Sequence, residues 1–181
     1  MHQKKVTYLF TSSRLGFRTW SADDLRQMAL LNSDKEVMEF FPFLPSKKET
    51  AEFIGRMQQQ FSEKGYCYFP VDDLATDKFI GFIGFSEQHF ESDFTPCVDI
   101  GWRIDKKYWG KGLATEGAMA CIKYAKSNLD LTKIHSMASE INTKSIQVMK
   151  KIGMTYVKEF EQPKLMAYSR LKKCVLFALD L

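Results

Sequence analysis

Two glycines, Gly110 and Gly112, precede a stretch in which small and apolar residues recur at helical spacing. Glycine lets backbone N–H groups approach a ligand without an intervening Cβ. The first turn of a helix adds unpaired N–H donors and the positive end of the helix dipole. Such a turn suits a diphosphate, but a bare Gly-x-Gly is equally compatible with a tight turn that binds nothing.

Asp99 is the carboxylate best suited to acid–base chemistry, because it interrupts an otherwise apolar strand pattern. Burial would raise its pKa into a range useful to a general base, whereas a solvated or salt-bridged carboxylate would have no catalytic role. Glu87 and Glu116 are the alternative bases. Ser145 falls in the first turn of a predicted helix, where it either caps the helix or helps to stabilise developing negative charge.

The elements that position these residues lie mainly between Val98 and Ala125. One predicted strand alternates an apolar row of Val98, Ile100, Trp102 and Ile104 with a row of Cys97, Asp99, Gly101 and Arg103 on the opposite face. The helix predicted after Gly112 carries small residues that allow close packing on a sheet. Further along the chain, Asn142 is expected to cap a helix that ends at Gly153.

Two more helices are predicted near the N-terminus. Ser21 is expected to cap the first of them, and Ser46-Lys-Lys-Glu49 forms a capping box for a long second helix that ends near Gly65. Between these helices lies an aromatic segment, which is either a hydrophobic plug or the wall of a substrate pocket. The residues predicted to bind substrate are Phe40, Phe41 and Asp99.

The loop resembles the acyl-CoA loop of the GNAT N-acetyltransferase superfamily, [Arg/Gln]-x-x-Gly-x-[Gly/Ala], with Lys107 in place of Arg or Gln. The stretch Tyr108–Glu116 is similar to the ribosomal-protein N-terminal acetyltransferase (RimJ/RimL-type) branch. A second stretch, Asn142-x-x-Ser145-x-x-x-Met149-x-Lys151-x-Gly153-Met154, resembles the GNAT signature Asn-x-x-Ser/Ala-x-x-x-Tyr-x-Lys-x-Gly-Phe. Met149 stands where many relatives have a tyrosine general acid.

The resemblance implies an α/β (α+β) GNAT fold, in which about four helices flank a mixed central sheet of about seven strands splayed in the middle. It also implies acetyl-CoA as co-substrate, with pantetheine between strands 98–104 and 133–138. The implied cofactor-binding residues are Trp102, Arg103, Ile104, Lys107, Trp109, Gly110, Lys111, Gly112, Leu113, Ala114, Thr115, Asn142, Ser145, Met149 and Lys151.

The predicted activity is acetyl transfer to a primary amine by direct attack, with Asp99 and Ser145 as catalytic residues. A peptide or protein N-terminal α-amine is the favoured acceptor, because its pKa near 8 leaves a useful fraction neutral. A lysine amine would need about 3 kcal/mol more for deprotonation. The alternatives are a small amine, such as a polyamine or an aminoglycoside, and a non-catalytic CoA-binding module. A polyamine site would require several acids, such as Glu36, Glu39, Glu91 and Asp99, to converge.

Composition indicates an ordinary globular chain of 181 residues with 45% hydrophobic and 27% charged residues, expected to form one domain, 1–181. The net charge of +4 is spread among nearly as many acids, which argues against a nucleic-acid partner. No apolar run reaches the roughly 20 residues of a membrane span, and Met1–Lys5 lacks the apolar stretch of a signal peptide, so a cytoplasmic location is expected. A monomer or a homodimer is expected, with no membrane partner. Cysteine spacing predicts no metal site, and Cys97 has no neighbouring histidine to activate it.

Overall fold

The computed structural model describes residues 6–181, so Met1–Lys5, on which the signal-peptide prediction rests, lie outside the described residues. Eight strands form one sheet in the order β1-β2-β3-β4-β5-β6-β8-β7, and neighbours are antiparallel except for β5 and β6. The elements are β1 (Phe10–Thr11), β2 (Leu15–Phe17), α1 (Asp24–Ser33), α2 (Lys47–Lys64), β3 (Tyr68–Asp73), β4 (Lys78–Gln88), β5 (Cys97–Ile104), α3 (Leu113–Asn128), β6 (Lys133–Ser139), α4 (Thr143–Lys151), β7 (Thr155–Glu161) and β8 (Lys173–Asp180).

The prediction of a mixed sheet flanked by helices is confirmed, with eight strands where about seven were expected. The edge of the sheet is a short hairpin in which Phe10 pairs with Phe17. Phe10 also stacks on the rings of Phe17 and Tyr124, with ring centroids 4.4 Å apart in each pair. The aromatic contacts therefore tie this edge to α3.

Two neighbouring residues of β4 show how the helices are divided between the faces of the sheet. Phe82 packs against Phe53 of α2, with ring centroids 5.4 Å apart. Ile83 points to the other face, where it lies so close to Gly117 of α3 that a Cβ on Gly117 would collide with its side chain. We call the first side the α1/α2 face and the second the α3 face.

Strand β5 carries the predicted alternation onto these two faces. Asp99 pairs with Ser86, which lies on the same face of β4 as Phe82. Trp102 pairs with Ile83, which lies on the other face. Asp99, Gly101 and Arg103 therefore lie on the α1/α2 face, and the apolar row lies on the α3 face.

The sheet opens between β5 and β6, as predicted. The parallel register of these strands contains a single residue pair, Asp99 with His135. The Ser136 hydroxyl donates to the carbonyl of Ile100 across a distance of 2.9 Å. Beyond this point β5 runs from Gly101 to Ile104 without a registered partner strand on its β6 side. We call the gap between these two strands the cleft.

The predicted capping of the helices is confirmed in α2 and α4 but is wrong in α1. Ser46 and Glu49 form the reciprocal capping box of α2, and Asn142 accepts a hydrogen bond at the start of α4. Helix α1 has Asp23 at its N-cap without a side-chain cap. Ser21 instead donates through its backbone N–H and its hydroxyl to the carboxylate of Asp24, which is already held by an arginine.

Within residues 6–181, none of the helices combines the length and the apolar character needed to span a membrane.

Candidate active site

Asp99 is buried on the α1/α2 face at the point where the cleft begins, with 8% of its surface exposed. The hydroxyl of Tyr68 lies 2.8 Å from both carboxylate oxygens, and Nε2 of Gln88 donates to Oδ1 across 2.7 Å. Burial raises the pKa of Asp99 to about 6, although the hydrogen bonds from Gln88 and Tyr68 act in the opposite direction. The carboxylate is therefore mostly ionised at pH 7 and still basic enough to accept a proton.

This pKa makes a prediction about stability. A carboxyl with a pKa near 3.8 when unfolded and about 6 when folded binds its proton more tightly in the folded protein. The ionisation of Asp99 should therefore contribute a loss of about 2–3 kcal/mol of unfolding free energy in the wild type as the pH rises from about 4 to 8. The side chain in Asp99→Asn cannot ionise. The unfolding free energy of this variant, measured in urea at both pH values, should therefore rise relative to that of the wild type by about this amount between pH 4 and pH 8. A difference that stays constant with pH would contradict the raised pKa.

Arg103 lies on the same face as Asp99, nearer the end of the strand. Its Cζ is 4.0 Å from the ring centroid of Phe41, and Nη1 donates to Oδ1 of Asn32 across 2.6 Å. Nε is enclosed and has no hydrogen-bond acceptor among residues 6–181. Burial lowers the pKa of Arg103 to about 10, so the guanidinium still carries its charge at pH 7. The side chain thus points away from the α3 face, although the backbone of Arg103 borders the cleft.

The glycine loop leaves space for a ligand at the start of α3. Gly110 and Gly112 have φ angles of +73° and +76°, which side chains other than glycine rarely adopt. A Cβ on Gly110 would meet no atom within 4 Å, and the nearest atom to one on Gly112 is Nη2 of Arg14 at 3.9 Å. Gly112 is also the N-cap of α3 and has no side-chain cap, so the N–H groups of Leu113, Ala114 and Thr115 remain donors for an anion.

Arg14 and Glu116 anchor this loop. Arg14 donates through Nη2 to the carbonyl of Lys111 across 3.1 Å and through Nε to Glu116 across 2.7 Å. Ser12 donates to the other oxygen of Glu116. Burial would raise the pKa of Glu116, but the hydrogen bonds from Ser12 and Arg14 outweigh it and lower the pKa. Glu116 is therefore better described as a support of the loop than as a base.

The other alternative base, Glu87, is also engaged. It lies 3.4 Å from Nζ of Lys64 and 3.5 Å from Nε2 of His89. Asp99 is the only one of the three candidate carboxylates that is buried without a cationic salt-bridge partner among residues 6–181.

Two contacts cross the mouth of the cleft from β5 and the loop to α4. Nε1 of Trp102 donates to the hydroxyl of Ser145 across 3.3 Å. Nζ of Lys144 lies 4.5 Å from the ring centroid of Trp109. The backbone N–H of Ser145 donates to Oδ1 of Asn142. The hydroxyl of Ser145 is the acceptor in its contact with Trp102, so its own proton is available for a developing thiolate.

The remaining predicted cofactor residues fall into three groups. Lys107, Lys111 and Lys151 are exposed, and Nζ of Lys111 lies over the Tyr108 ring. Ile104 is buried and its carbonyl accepts from Nε1 of Trp109 across 2.8 Å. Met149 is 1% exposed and packs in the core, so in this structure its side chain does not border the cleft.

The aromatic segment between α1 and α2 lies beside Arg103. Phe41 is 39% exposed and covers the guanidinium, and Phe40 lies against Arg170. Nη2 of Arg170 forms a 2.8 Å ion pair with Glu39, which joins the α1–α2 connection to the β7–β8 connection. Two of the acidic residues considered for a polyamine site are paired with cations, Glu36 with Lys106 and Glu39 with Arg170.

Four residues of this site escaped the sequence analysis: Tyr68 and Gln88, which hold Asp99; Asn32, which holds Arg103; and Arg14, which holds the loop. Tyr68 and Asn32 reach the site from other elements, and nothing local in the sequence marks them. Within residues 6–181, no group of three or more His, Cys, Asp or Glu side chains could hold a metal ion.

Comparison with known proteins gives the family. The profile described as "Acetyltransferase (GNAT) domain" matches residues 14–155. The chain belongs to the GNAT acetyltransferase family. It is 32% identical over 138 residues to the uncharacterized protein YkkB of Bacillus subtilis (strain 168), covering 75% of this chain and 78% of the relative. It is also 32% identical to the uncharacterized N-acetyltransferase YnaD of the same organism, covering 80% and 81%.

Solved structures confirm the predicted GNAT fold. An acetyltransferase of the GNAT family from Bacillus anthracis superposes with a TM-score of 0.77 at 26% identity, covering 94% of this chain and 96% of that one. Two GNAT structures at lower identity share the fold alone. One is a spermidine N-acetyltransferase from Vibrio cholerae with CoA and spermine (TM-score 0.74, 20% identity, 93% and 96% covered). The other is RimL, a ribosomal L7/L12 alpha-N-protein acetyltransferase with CoA (0.76, 15%, 94% and 96%). These two proteins are named for different amines, so the GNAT fold does not select the acceptor.

Proposed function

We propose that this GNAT protein is an acetyl-CoA-dependent N-acetyltransferase whose residues 1–181 act as one catalytic domain. The observation that carries the proposal is the buried carboxylate of Asp99, with a pKa of about 6, at the start of the cleft between β5 and β6. The acceptor that fits best is the α-amine of a peptide or protein N-terminus. A cytoplasmic location and a monomeric or dimeric state remain predictions from the sequence.

The site supports direct attack. The neutral amine nitrogen bonds to the thioester carbonyl carbon, the C–S bond breaks, and the acetyl group stays on nitrogen as an amide. The amine proton passes to Asp99, directly or through a water molecule, because the ionised carboxylate accepts it at neutral pH. The thiolate that leaves is stabilised by the hydroxyl of Ser145 and the N-terminus of α4, and takes up a proton.

A covalent route through Cys97 is disfavoured. Burial, together with the negative charge of Asp99, raises the pKa of the Cys97 thiol to about 11. A thiol with this pKa is almost entirely protonated at pH 7 and is a poor nucleophile. Transfer in one step from acetyl-CoA to the amine therefore fits the site better than an acetylated cysteine.

Acetyl-CoA fits along the α3 face and the cleft. The open backbone of the Gly110–Gly112 loop and the first turn of α3 suit the diphosphate. The unpaired edge of β5 from Gly101 to Ile104 suits the amide groups of pantetheine, which can hydrogen-bond to it as an additional strand would. Trp102 and Ser145, which meet across the cleft, lie beside the thioester end in this arrangement.

The charges on the α1/α2 face favour an α-amine over a polyamine. A polyamine carries several cations, which need several acids in a buried site. Glu36 and Glu39 are already paired, and Arg103 adds a positive charge that has no acidic partner in the described part of the chain. The similarity of Tyr108–Glu116 to the RimJ/RimL-type branch supports the same acceptor.

The test is an acceptor panel with acetyl-CoA and the purified protein. Thiol release and product mass should be measured with peptides bearing free N-termini, the same peptides with blocked N-termini, spermidine and an aminoglycoside. The proposal predicts release and a gain of one acetyl group for the free peptides. Preference for spermidine or the aminoglycoside would show that the acceptor is a small amine rather than a peptide or protein N-terminus. CoA binding without transfer to any acceptor would indicate a non-catalytic module.

A further inference from the structure

Arg103 and Asp99 are two charged groups on one strip of the α1/α2 face. They lie four residues apart on β5, which is about 13 Å between Cα atoms at 3.3 Å per residue. Gly101 lies between them and is covered by the ring of Tyr68, whose pKa responds to both charges. The strip therefore presents one anion and one cation beside the cleft.

Arg103 differs from Arg18, another partly buried arginine, in having no acidic partner within residues 6–181. Arg18 binds two carboxylates, those of Asp24 and Asp72, at 2.8 Å and 2.7 Å. Arg103 reaches only the neutral amide of Asn32, its Nε has no acceptor, and Nη2 makes no hydrogen bond within residues 6–181. A guanidinium left without an anion in such a site loses much of its hydration and gains no ion pair in return.

The guanidinium is nevertheless held in place. Phe41 lies over one side of it at 4.0 Å and Phe82 lies 5.3 Å away. Asn32, which accepts from Nη1, is itself fixed by a 3.0 Å hydrogen bond to Thr50. The donors of Arg103 are therefore positioned before any ligand arrives, which reduces the entropy lost on binding an anion.

We propose that Arg103 binds a carboxylate carried by the acceptor, on the same molecule as the amine that is acetylated. This inference rests on the proposed N-acetyltransferase function. Because Asp99 and Arg103 are four residues apart along a strand, the carboxylate lies farther from the amine than in a single α-amino acid. It belongs to an acidic side chain that follows the first residue of a peptide or protein. The acceptor class is thus an acidic N-terminus.

The experiment compares twin peptides. Each pair consists of two short Ala/Ser peptides with free N-termini that differ at one position. One peptide has Glu and its twin has Gln at the second, third or fourth residue. The wild type should show kcat/KM about ten- to hundredfold higher for the Glu peptide than for its twin at the best position, since charge-assisted hydrogen bonds contribute this much. In Arg103→Met the ratio should fall to about one, and Arg103→Lys should restore part of it.

Two further variants separate recognition from structural damage. Asn32→Asp places a carboxylate next to the intact guanidinium and should likewise lower the Glu-to-Gln ratio of kcat/KM to about one. Arg170→Gln removes an exposed cation on the neighbouring connection, whose partner is Glu39, and should leave the ratio in place. Circular dichroism and thermal unfolding establish that each variant is folded, and the ratio itself does not depend on the amount of active enzyme.

The outcomes are distinct. Equal rates for the twins at every position with the wild type would overturn the role of Arg103 and leave the proposed function standing. A preference for Glu that survives in both Arg103→Met and Asn32→Asp would also overturn it. Faster acetylation of free glutamate or aspartate than of any peptide would overturn the peptide source, because the two charges would then lie on one amino acid. Absence of transfer to every acceptor would defeat the proposed function itself.

Discussion

Asp99→Asn should lower kcat/KM for acetyl transfer about 10²–10⁴-fold at pH 7, the range that a general base contributes. The change keeps the size of the side chain and the hydrogen bonds that Tyr68 and Gln88 donate, but removes the basic oxygen. In the wild type, kcat/KM should rise with pH through about 6 as Asp99 loses its proton. In the variant this limb should be absent, and activity should partly recover above pH 8 as the free amine deprotonates itself.

Thiol release from pH 5 to 10 measures both profiles. Glu87→Gln is the matched control, since it neutralises a carboxylate on the neighbouring strand and should keep the wild-type shape of the profile. Full activity of Asp99→Asn at pH 7 would place the base elsewhere. Loss of activity in Glu87→Gln alone would then identify Glu87.

Gly112→Asp should weaken the binding of acetyl-CoA about a hundredfold. Asp tolerates a positive φ better than most residues, so the backbone angle of +76° is retained at modest cost. The new carboxylate would lie at the N-cap of α3, where we place the diphosphate, and like charges in such a site cost several kcal/mol. Isothermal titration calorimetry with acetyl-CoA gives the dissociation constants.

Gly153→Asp is the control for this variant, because Gly153 also has a positive φ, +85°, and open space around a Cβ, but follows α4. It should bind acetyl-CoA as the wild type does. Gly112→Asn adds almost the same volume without the charge, so its affinity for acetyl-CoA should lie between those of Gly112→Asp and Gly153→Asp. Unchanged affinity in Gly112→Asp would show that the diphosphate lies elsewhere.

The local sequence pattern correctly predicted most helices and strands and the face of the sheet on which Asp99 and Arg103 lie. The alternation in Val98–Ile104 placed Asp99 and Arg103 on one face, and Ser46 with Glu49 marked the start of α2, because both depend on neighbours within a few residues. The spacing of Gly110 and Gly112 likewise marked a turn in which both φ angles are positive. Each of these features depends on the backbone geometry of residues that are close together in the sequence.

What the sequence could not show depends on register between distant segments. Tyr68 reaches Asp99 from β3, across β4, and the β3–β4 pairing shifts register between Val71 and Asp72. Ser21 was expected to cap α1, but Arg18 recruits Asp24 into a network with Asp72, and Ser21 joins that network instead. The family resemblance assigned Arg103 to the cofactor, whereas strand alternation had already placed its side chain on the opposite face from Trp102.

The opening between β5 and β6 has a consequence for how much folded protein a cell can maintain. A single registered residue pair joins the two halves of the sheet, so the strand edges beside the cleft are among the places where backbone pairing is least complete. A ligand that binds only the folded chain stabilises it by mass action, by about 2.7 kcal/mol at a hundred times its dissociation constant. If acetyl-CoA occupies the cleft as proposed, its supply also sets the resistance of the chain to unfolding and degradation. Metabolic state would then control the abundance of the enzyme as well as its rate.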